Sequence, residues 1–286
     1  GIPDGVFQFL HLDHVSTSKI ISDSRVDHVL FTGSVSGGKE VKKAIGVRFI
    51  NAGLELGGKD PAYVRKDCNL QHAIENLADG AFFNSGQSCC GIERIYVDNE
   101  IYEKFVEGIK SFTEQYILDD PLKEKTNLGP VVKLSSATFI RNHVKEAISK
   151  GAKDIIDNNN FKISEDSNCY VSPSVLIDVD HSMSFMMDET FGPTVGIMKV
   201  SNEEEAAQLM NDSPYGLTAC IWTSDKEFAL SFGKKIHTGT FFMNRCDYLD
   251  PGLAWTGVKD TGVGVTLSVL GFDHLTRAKS YHYRTV

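Results

Sequence analysis

Apolar residues recur along the chain with two alternating periods, one typical of strands and one typical of helices. Near the start, short apolar runs at 6–10, 26–31 and 49–56 predict strands. The segments 14–23 and 39–45 lie between these runs and predict helices. Strands that alternate with helices predict a parallel sheet with crossover helices.

The same alternation continues to the C-terminus. Further strands are predicted at 61–64, 94–97, 154–156, 170–178, 194–200, 219–223 and 239–244. Further helices are predicted at 69–84, 101–117, 136–150, 203–211, 226–236 and 267–275. The polar stretch 158–168 predicts a surface loop, and 276–285 alternates like a final strand. The fold class is therefore predicted to be α/β.

Composition narrows the possible functions. The chain has 286 residues, 41% hydrophobic and 23% charged, which is ordinary for a globular protein large enough for two domains. Its net charge of −9 argues against a nucleic-acid partner held by a basic surface. The six cysteines form no Cys-x-x-Cys pair, and the histidines lack metal-ligand spacing, so we expect neither disulfides nor a metal site. No apolar run is long enough to span a membrane, and we expect a cytoplasmic protein.

The candidate chemistry lies in two short motifs. Cys89 ends the sequence GQSC, where Gly86 allows a close backbone approach. Glu55 lies in the sequence LELGGK, between two leucines and before two glycines. Such surroundings suggest a carboxylate at the end of a buried strand, where desolvation raises its pKa toward neutrality. Taken alone, a cysteine is more often a small buried apolar residue than a nucleophile, and we expect this of Cys90. A glutamate taken alone is more often an ion-pair partner than a general base.

Together, these motifs resemble those of the NAD(P)-dependent aldehyde dehydrogenase superfamily. Three further segments are similar to family motifs and occur in the family's order, namely FTGSxxxG at 31–38, TxxGP at 126–130 and ExFGP at 189–193. The resemblance extends from residue 1 to the C-terminus. It implies that Cys89 is the nucleophile and Glu55 the general base.

The resemblance also implies a nicotinamide coenzyme, NAD or NADP. The glycine-rich turn at 32–38 is not the common dinucleotide fingerprint, and by spacing alone it is weak evidence for phosphate binding. The family pattern assigns the coenzyme to Gly33, Ser34, Gly38 and Leu56. It further implies that Glu189 binds the nicotinamide ribose and that Phe191 packs against the nicotinamide end.

Several residues near the C-terminus keep alternative interpretations. Trp255 matches an aromatic residue that packs on the substrate in relatives, although it could equally be a well-packed core residue. Asn244 matches an asparagine that steadies the wall of the active site. Arg245 could recognise an acidic substrate, but a salt bridge to a nearby aspartate is the simpler expectation. Thr266 stands where many relatives have a glutamate that is proposed to relay protons.

The resemblance implies a division of the chain. Residues 1–56 are then the C-terminal part of a Rossmann-like coenzyme domain, and 57–257 form the catalytic domain. Residues 258–275 return to the coenzyme domain, and 276–286 form an oligomerisation strand. The chain is thus expected to be the C-terminal part of a subunit, with the oxyanion-hole asparagine and the adenosine-ribose contacts upstream of it.

The function implied is oxidation of an aldehyde to a carboxylic acid through a thioester on Cys89. Two alternatives remain open, a CoA-acylating aldehyde dehydrogenase and a truncated relative with a structural role and no activity. The expected partners are a small aldehyde and further copies of the chain, as a homodimer or homotetramer. The sequence does not identify the aldehyde.

Overall fold

The computed structural model describes residues 1–161 and 168–286. The surface loop predicted at 158–168 therefore lies partly outside the described residues. Its described beginning is a short 3₁₀ turn, Asn158–Asn160, which follows the capping residue Asp157. Among the described residues, no helix combines the length and the apolar character needed to cross a bilayer.

The first part of the chain forms a small βα unit. Its elements are the helix α1 (His14–Ser22), the strand β1 (His28–Thr32), the helix α2 (Val35–Ile45) and the strand β2 (Asn51–Glu55). The two strands are parallel, with Thr32 opposite Glu55. Ser34 caps α2 by accepting a hydrogen bond from the N–H of Gly37, which explains why the helix begins directly after the strand.

The central part forms a larger α/β layer. Its strands are β3 (Asp60–Val64), β4 (Ile92–Asp98), β5 (Lys153–Asp154), β6 (Ser174–Ile177), β7 (Thr194–Val200), β8 (Thr218–Trp222) and β9 (Thr240–Met243). Its helices are α3 (Leu70–Phe82), α4 (Tyr102–Thr113), α5 (Leu134–Ser149), α6 (Ser184–Met187), α7 (Glu203–Asn211) and α8 (Lys226–Gly233).

These seven strands form one sheet in the order β5-β6-β7-β4-β3-β8-β9. All neighbours are parallel except β5 and β6. Every residue of β3 and of β8 is buried, as expected for central parallel strands that are covered on both faces. Helices α3 and α4 cover one face around Leu77, Phe82 and Phe105, and α7 and α8 cover the other around Met210 and Phe232.

The chain then returns to the small sheet. The short strand β10 (Gly262–Val263) pairs antiparallel with β2, which makes β2 the middle strand of three. The helix α9 (Ser268–His274) follows. The domain division at 56/57 and 257/258 stays a prediction.

The strand predicted at 6–10 is wrong, whereas the strand predicted at 276–285, which needs a second subunit, stays a prediction. Residues 6–10 and 276–286 have no regular secondary structure. A strand needs a neighbour for its backbone N–H and C=O groups, and the sheets of the described residues offer none to either segment. The side chains of Phe7 and Phe9 are accordingly 80% and 77% exposed. The expected pairing of 276–286 with a second subunit stays a prediction.

Candidate active site

Glu55 is the last residue of β2, at the carboxyl end of a parallel strand pair. Its carboxylate accepts hydrogen bonds from Trp255 Nε1 to Oε2, at 3.1 Å, and from Thr266 Oγ1 to Oε1, at 3.3 Å. Burial raises the pKa of Glu55, while the two hydrogen bonds favour the charged form and oppose burial. A carboxyl group with a raised pKa is suited to accept a proton near neutral pH.

The two glycines after Glu55 allow three segments of the chain to meet. A Cβ atom on Gly57 would overlap the carboxylate of Glu189, and a Cβ atom on Gly58 would overlap the carbonyl oxygen of Cys89. The N–H of Gly58 donates to Oε1 of Glu189 at 2.9 Å. The end of β2 therefore contacts both the cysteine and the acidic residue that were selected from the sequence.

The segment 83–91, here called the catalytic turn, connects α3 to β4 and carries Cys89. It contains three consecutive residues with positive φ: Asn84 at 51°, Ser85 at 57° and Gly86 at 70°. A Cβ atom on Gly86 would overlap the carbonyl of Gly192, so the glycine is required by close packing as well as by its φ. Left-handed non-glycine residues are strained and persist where their surroundings hold them.

Cys89 is half-buried, and its thiol is one of a pair. The adjacent Cys90 side chain is the main influence that lowers the pKa of Cys89, and the Cys89 backbone N–H acts in the same direction. Burial and the carboxylates of Glu55 and Asp247 oppose this change. The adjacent Cys89 side chain, burial and the Asp247 carboxylate all raise the pKa of Cys90. Cys89 is therefore the thiol suited to react as a thiolate, and Cys90 the one that keeps its proton.

Asp247 holds both chain neighbours of Cys89. Ser88 Oγ donates to Asp247 Oδ1 at 3.0 Å, and Cys90 Sγ donates to the same oxygen at 2.8 Å. Asp247 itself has a positive φ of 45° in the loop after β9. Because both flanking residues are attached to one carboxylate oxygen, the backbone of Cys89 is fixed from two sides.

The candidate phosphate site lies at the N-terminus of α2. The hydroxyl groups of Ser34 and Ser36 lie 2.9 Å apart and line a cavity of about 650 Å³ between α1, β1 and α2. Hydroxyl groups beside the N–H groups of a helix N-terminus are a suitable environment for a phosphate, so these residues fit the coenzyme. Gly33 and Gly38 have a packing role. The absence of a Cβ atom leaves room for the side chain of Phe31 at Gly33 and for that of Leu56 at Gly38.

Glu189 lies in the loop 188–193, here called the Glu189 loop. Burial raises the pKa of Glu189 to about 7, against the hydrogen bond from Gly58. Phe191 has a positive φ of 53°, and its side chain is 39% exposed. Beneath the loop, the buried side chains of Lys59 and Glu93 form an ion pair.

Three of the residues with alternative interpretations are placed as follows. Asn244 forms reciprocal hydrogen bonds with the backbone N–H and C=O of Thr223, which joins the ends of β8 and β9. Arg245 stacks on the ring of Tyr248, with 3.1 Å between its guanidinium carbon and the ring centroid. Within 1–161 and 168–286 no salt bridge of Arg245 is present, so the expected pairing with an aspartate is wrong. Trp255 is buried and packs with Cys90 and Leu217.

Sequence reasoning missed the roles of Lys59, Glu93, Asp247 and Thr266. Lys59 and Glu93 did carry a signal, because they are opposite charges at the starts of two neighbouring buried strands. Asp247 carried no such signal, since it is separated in sequence from Cys90 by 157 positions and from Ser88 by 159 positions. In the part of the chain that the structure describes, no group of three or more His, Cys, Asp or Glu residues is arranged to hold a metal ion.

The fold agrees with comparisons to known proteins. The model of the aldehyde dehydrogenase family matches residues 1–281. An aldehyde dehydrogenase [NAD(P)+] of Saccharomyces cerevisiae is 34% identical over 90% of this chain and 52% of its own length. A succinate semialdehyde dehydrogenase [NAD(P)+] of Escherichia coli is 32% identical over 95% of this chain and 58% of its own.

Solved structures agree as well. An NAD-dependent aldehyde dehydrogenase from Sinorhizobium meliloti superposes with a TM-score of 0.91 at 31% identity, covering 96% of this chain and 54% of that one. A betaine aldehyde dehydrogenase from Staphylococcus aureus, solved with NAD+, gives a TM-score of 0.84 at 29% identity, covering 90% and 51%. The chain belongs to the aldehyde dehydrogenase family. It spans about half the length of the relatives it matches.

Proposed function

We propose that this chain carries the nucleophile and the general base of an NAD(P)-dependent aldehyde dehydrogenase, which oxidises an aldehyde to a carboxylic acid. The observation that carries the proposal is the meeting of Glu55, Cys89 and Glu189 around Gly57 and Gly58. These groups are distant in sequence, and only a folded site of this shape brings them together.

The first step is the attack of the Cys89 thiolate on the aldehyde carbon. A carbon–sulfur bond forms, and the carbonyl π electrons move to oxygen to give a thiohemiacetal oxyanion. The backbone N–H of Cys89 is a candidate donor for this oxyanion. Cys90 donates its own proton in a hydrogen bond to Asp247, so Cys89 is the thiol free to react as a thiolate.

The coenzyme, NAD or NADP, is assigned to the residues predicted from the sequence. Ser34 and the N-terminus of α2 would hold a phosphate, with Gly33, Gly38 and Leu56 shaping the turn. When bound, the nicotinamide supplies a hydride acceptor, and the Cys89 adduct becomes a thioester. The Glu189 carboxylate can accept two ribose hydroxyl groups, and Phe191 packs nearby.

Glu55 acts in the second half of the reaction. Its carboxylate removes a proton from water, whose oxygen attacks the thioester carbon. The carbon–sulfur bond then breaks, which releases the carboxylic acid and returns the thiolate of Cys89. Division into two steps replaces one difficult oxidation by two easier ones.

The experiment uses p-nitrophenyl acetate, which acylates a reactive cysteine without coenzyme. We expect a burst of p-nitrophenolate followed by slow steady turnover. Cys89→Ser removes the burst, while Cys90→Ser retains it. Glu55→Gln retains the burst but slows the steady phase. A burst that survives in Cys89→Ser contradicts the assignment of the nucleophile.

Full turnover is measured with NAD+ or NADP+ and a panel of aldehydes, by the absorbance of the reduced nicotinamide. Release of free acid supports hydrolysis by Glu55. Recovery of the product as acyl-coenzyme A, when coenzyme A is added, would instead support the CoA-acylating alternative. Absence of any turnover together with absence of the burst would support the structural alternative.

The proposed partners are an aldehyde substrate and further copies of this chain, as a homodimer or homotetramer in the cytoplasm. The support for assembly is the segment 276–286, whose backbone lacks a strand partner within the described chain. Tyr281 and Tyr283 in this segment are 66% and 82% exposed, and their rings stack on each other. Light scattering tests the assembly, and a monomeric mass for the unaltered chain contradicts it.

A further inference from the structure

The two residues that contact Glu55 belong to one small backbone unit. Trp255 and Thr266 form an isolated antiparallel bridge, with N–H to O=C distances of 2.7 and 2.8 Å in the two directions. From this bridge, the indole N–H reaches one carboxylate oxygen of Glu55 and the threonine hydroxyl reaches the other. We call the bridged pair the carboxylate clamp.

The clamp is attached to the strand that carries Glu55. Between Trp255 and Thr266 the chain forms β10, which pairs with β2 and places Gly262 opposite Glu55. A Cβ atom on Gly262 would overlap the carbonyl of Leu54, so the two strands approach closely. Trp255 is only 8% exposed. The clamp therefore cannot move independently of Glu55, because it is fixed by backbone pairing and by packing.

We propose that Trp255 and Thr266 are positioning residues for the general base, which hold both oxygens of the Glu55 carboxylate while it activates water. The inference rests on the proposed function, since it assigns a purpose to the contacts of Glu55. An ionised carboxylate has about four acceptor positions. The clamp occupies two of them, and the other two remain free to bind water. Thr266 thus contacts the base directly.

The clamp has a consequence for pH dependence. Its two hydrogen bonds stabilise the charged form of Glu55, so removal of either donor raises the pKa of Glu55. The Glu55 carboxylate and the Cys89 thiolate act on each other electrostatically, and Glu189 is a further acidic group, held nearby by the N–H of Gly58. In the acylated chain Cys89 is a neutral thioester. A shift of the pH midpoint of hydrolysis between the unaltered chain and a clamp variant then reports Glu55.

The test compares three variants. Thr266→Val removes one donor with little change of shape, and Trp255→Phe removes the other donor together with part of a buried ring system. Thr266→Ser keeps the hydroxyl. With p-nitrophenyl acetate, we expect both donor-free variants to retain the burst and to slow the steady phase. The pH midpoint of the steady phase should rise by about one unit in each variant. Thr266→Ser should return the midpoint to that of the unaltered chain.

A merely structural role for these residues would lower the rate without moving the midpoint. An unshifted midpoint in both donor-free variants therefore overturns the proposal. Loss of the burst in Thr266→Val also overturns it, because the residue would then act on the nucleophile. Thr266 is only partly buried, so Thr266→Val remains informative if Trp255→Phe fails to fold.

A second measurement separates this inference from the proposed function. Carbon-13 labelling of the glutamate carboxyl groups allows Glu55 to be titrated by NMR, with Glu55→Gln to identify its signal. The clamp requires a higher pKa in Thr266→Val than in the unaltered chain, whether or not the chain hydrolyses any ester. Equal titration midpoints would refute the clamp, whereas absence of a Cys89-dependent burst would refute the proposed function alone.

Discussion

The ammonium group of Lys59 and the carboxylate of Glu93 form an ion pair beneath the Glu189 loop, with 0% and 6% of the two side chains exposed. Glu93 also accepts hydrogen bonds from the backbone N–H groups of Thr190 and Phe191, each at 2.9 Å. Phe191 has a positive φ and needs such support. Glu93 therefore joins the ion pair to the backbone of the Glu189 loop directly before the positive φ of Phe191.

Replacement of Glu93 by Gln should destabilise the fold strongly. The variant leaves the buried Lys59 ammonium group without its ion-pair partner, and burial already lowers the pKa of Lys59. Breaking a buried ion pair from one side costs about 3 to 5 kcal/mol. The free energy of unfolding, measured by urea titration, should fall by that amount.

The matched control for this prediction is Glu100→Gln, at the Lys66–Glu100 pair. Both side chains of that pair are more than half exposed, so its loss should change stability little. The double change Lys59→Met with Glu93→Leu should recover much of the lost stability, because no charge stays buried. Equal losses in Glu93→Gln and Glu100→Gln would contradict the role of the buried pair.

His143 extends this network toward the surface, and its protonation state follows from the hydrogen bonds. Ser184 Oγ donates to the Glu146 carboxylate, so Ser184 accepts from His143 Nε2–H, which lies 3.1 Å away. His143 Nδ1 must then accept from the hydroxyl of Thr190, at 3.0 Å. Burial, with the nearby Lys59 charge acting in the same direction, lowers the pKa of His143.

Stability should therefore decrease as the pH falls below the ordinary histidine value of 6.5. In that range the unfolded chain takes up a proton that the folded chain resists, so the unfolded state is favoured. Above that pH the effect disappears. Unfolding free energies of the unaltered chain and of His143→Asn, between about pH 5 and about pH 8, test this. The variant should show a weaker pH dependence, and parallel curves would contradict the assignment.

Most of the helices and strands could be predicted because they depend on local patterns. The helix at 203–211 has the predicted limits, since Asn202 caps it and apolar residues follow at helical spacing. Glu55 and Cys89 could be selected because each lies within a short continuous motif, although the glycines of these motifs are required by contacts with distant segments. The strand predicted at 6–10 is wrong because periodicity does not show whether a neighbouring strand exists.

The supporting residues could not be predicted, because their function depends on contacts between distant segments. Trp255 and Thr266 reach Glu55 across 200 and 211 positions. Thr266 replaces a glutamate that many relatives have at this position. Its hydroxyl group nevertheless donates a hydrogen bond to Glu55. Such pairings depend on the register of β10 against β2, and a two-residue strand leaves no recognisable pattern in a sequence.

Glu189 should make coenzyme binding dependent on pH. Burial raises the pKa of Glu189 to about 7, so the carboxylate form that accepts two ribose hydroxyl groups is lost as the pH falls below that value. The affinity for NAD+ or NADP+ should decrease by up to about tenfold from about pH 8 to about pH 6.

Calorimetric titration at the two pH values measures the affinity. Glu189→Gln should bind weakly at both pH values and show little pH dependence. Asp188→Asn is the matched control, since Asp188 is the exposed neighbour and should leave the pH dependence in place. Equal affinity of the unaltered chain at both pH values would argue against a ribose contact by Glu189.

Gly58→Ala should affect stability and the reactivity of Cys89 together. The added methyl group would overlap the carbonyl oxygen of Cys89, so the catalytic turn must move. Overpacking of this kind costs about 1 to 3 kcal/mol. The same movement displaces the Cys89 backbone N–H, and the burst with p-nitrophenyl acetate should slow.

Gly129→Ala is the control, because its new methyl group meets its nearest neighbour, Pro121 Cβ, at 3.8 Å. If Gly58→Ala matched Gly129→Ala in both measurements, the contact between the end of β2 and the catalytic turn would not matter for the chemistry.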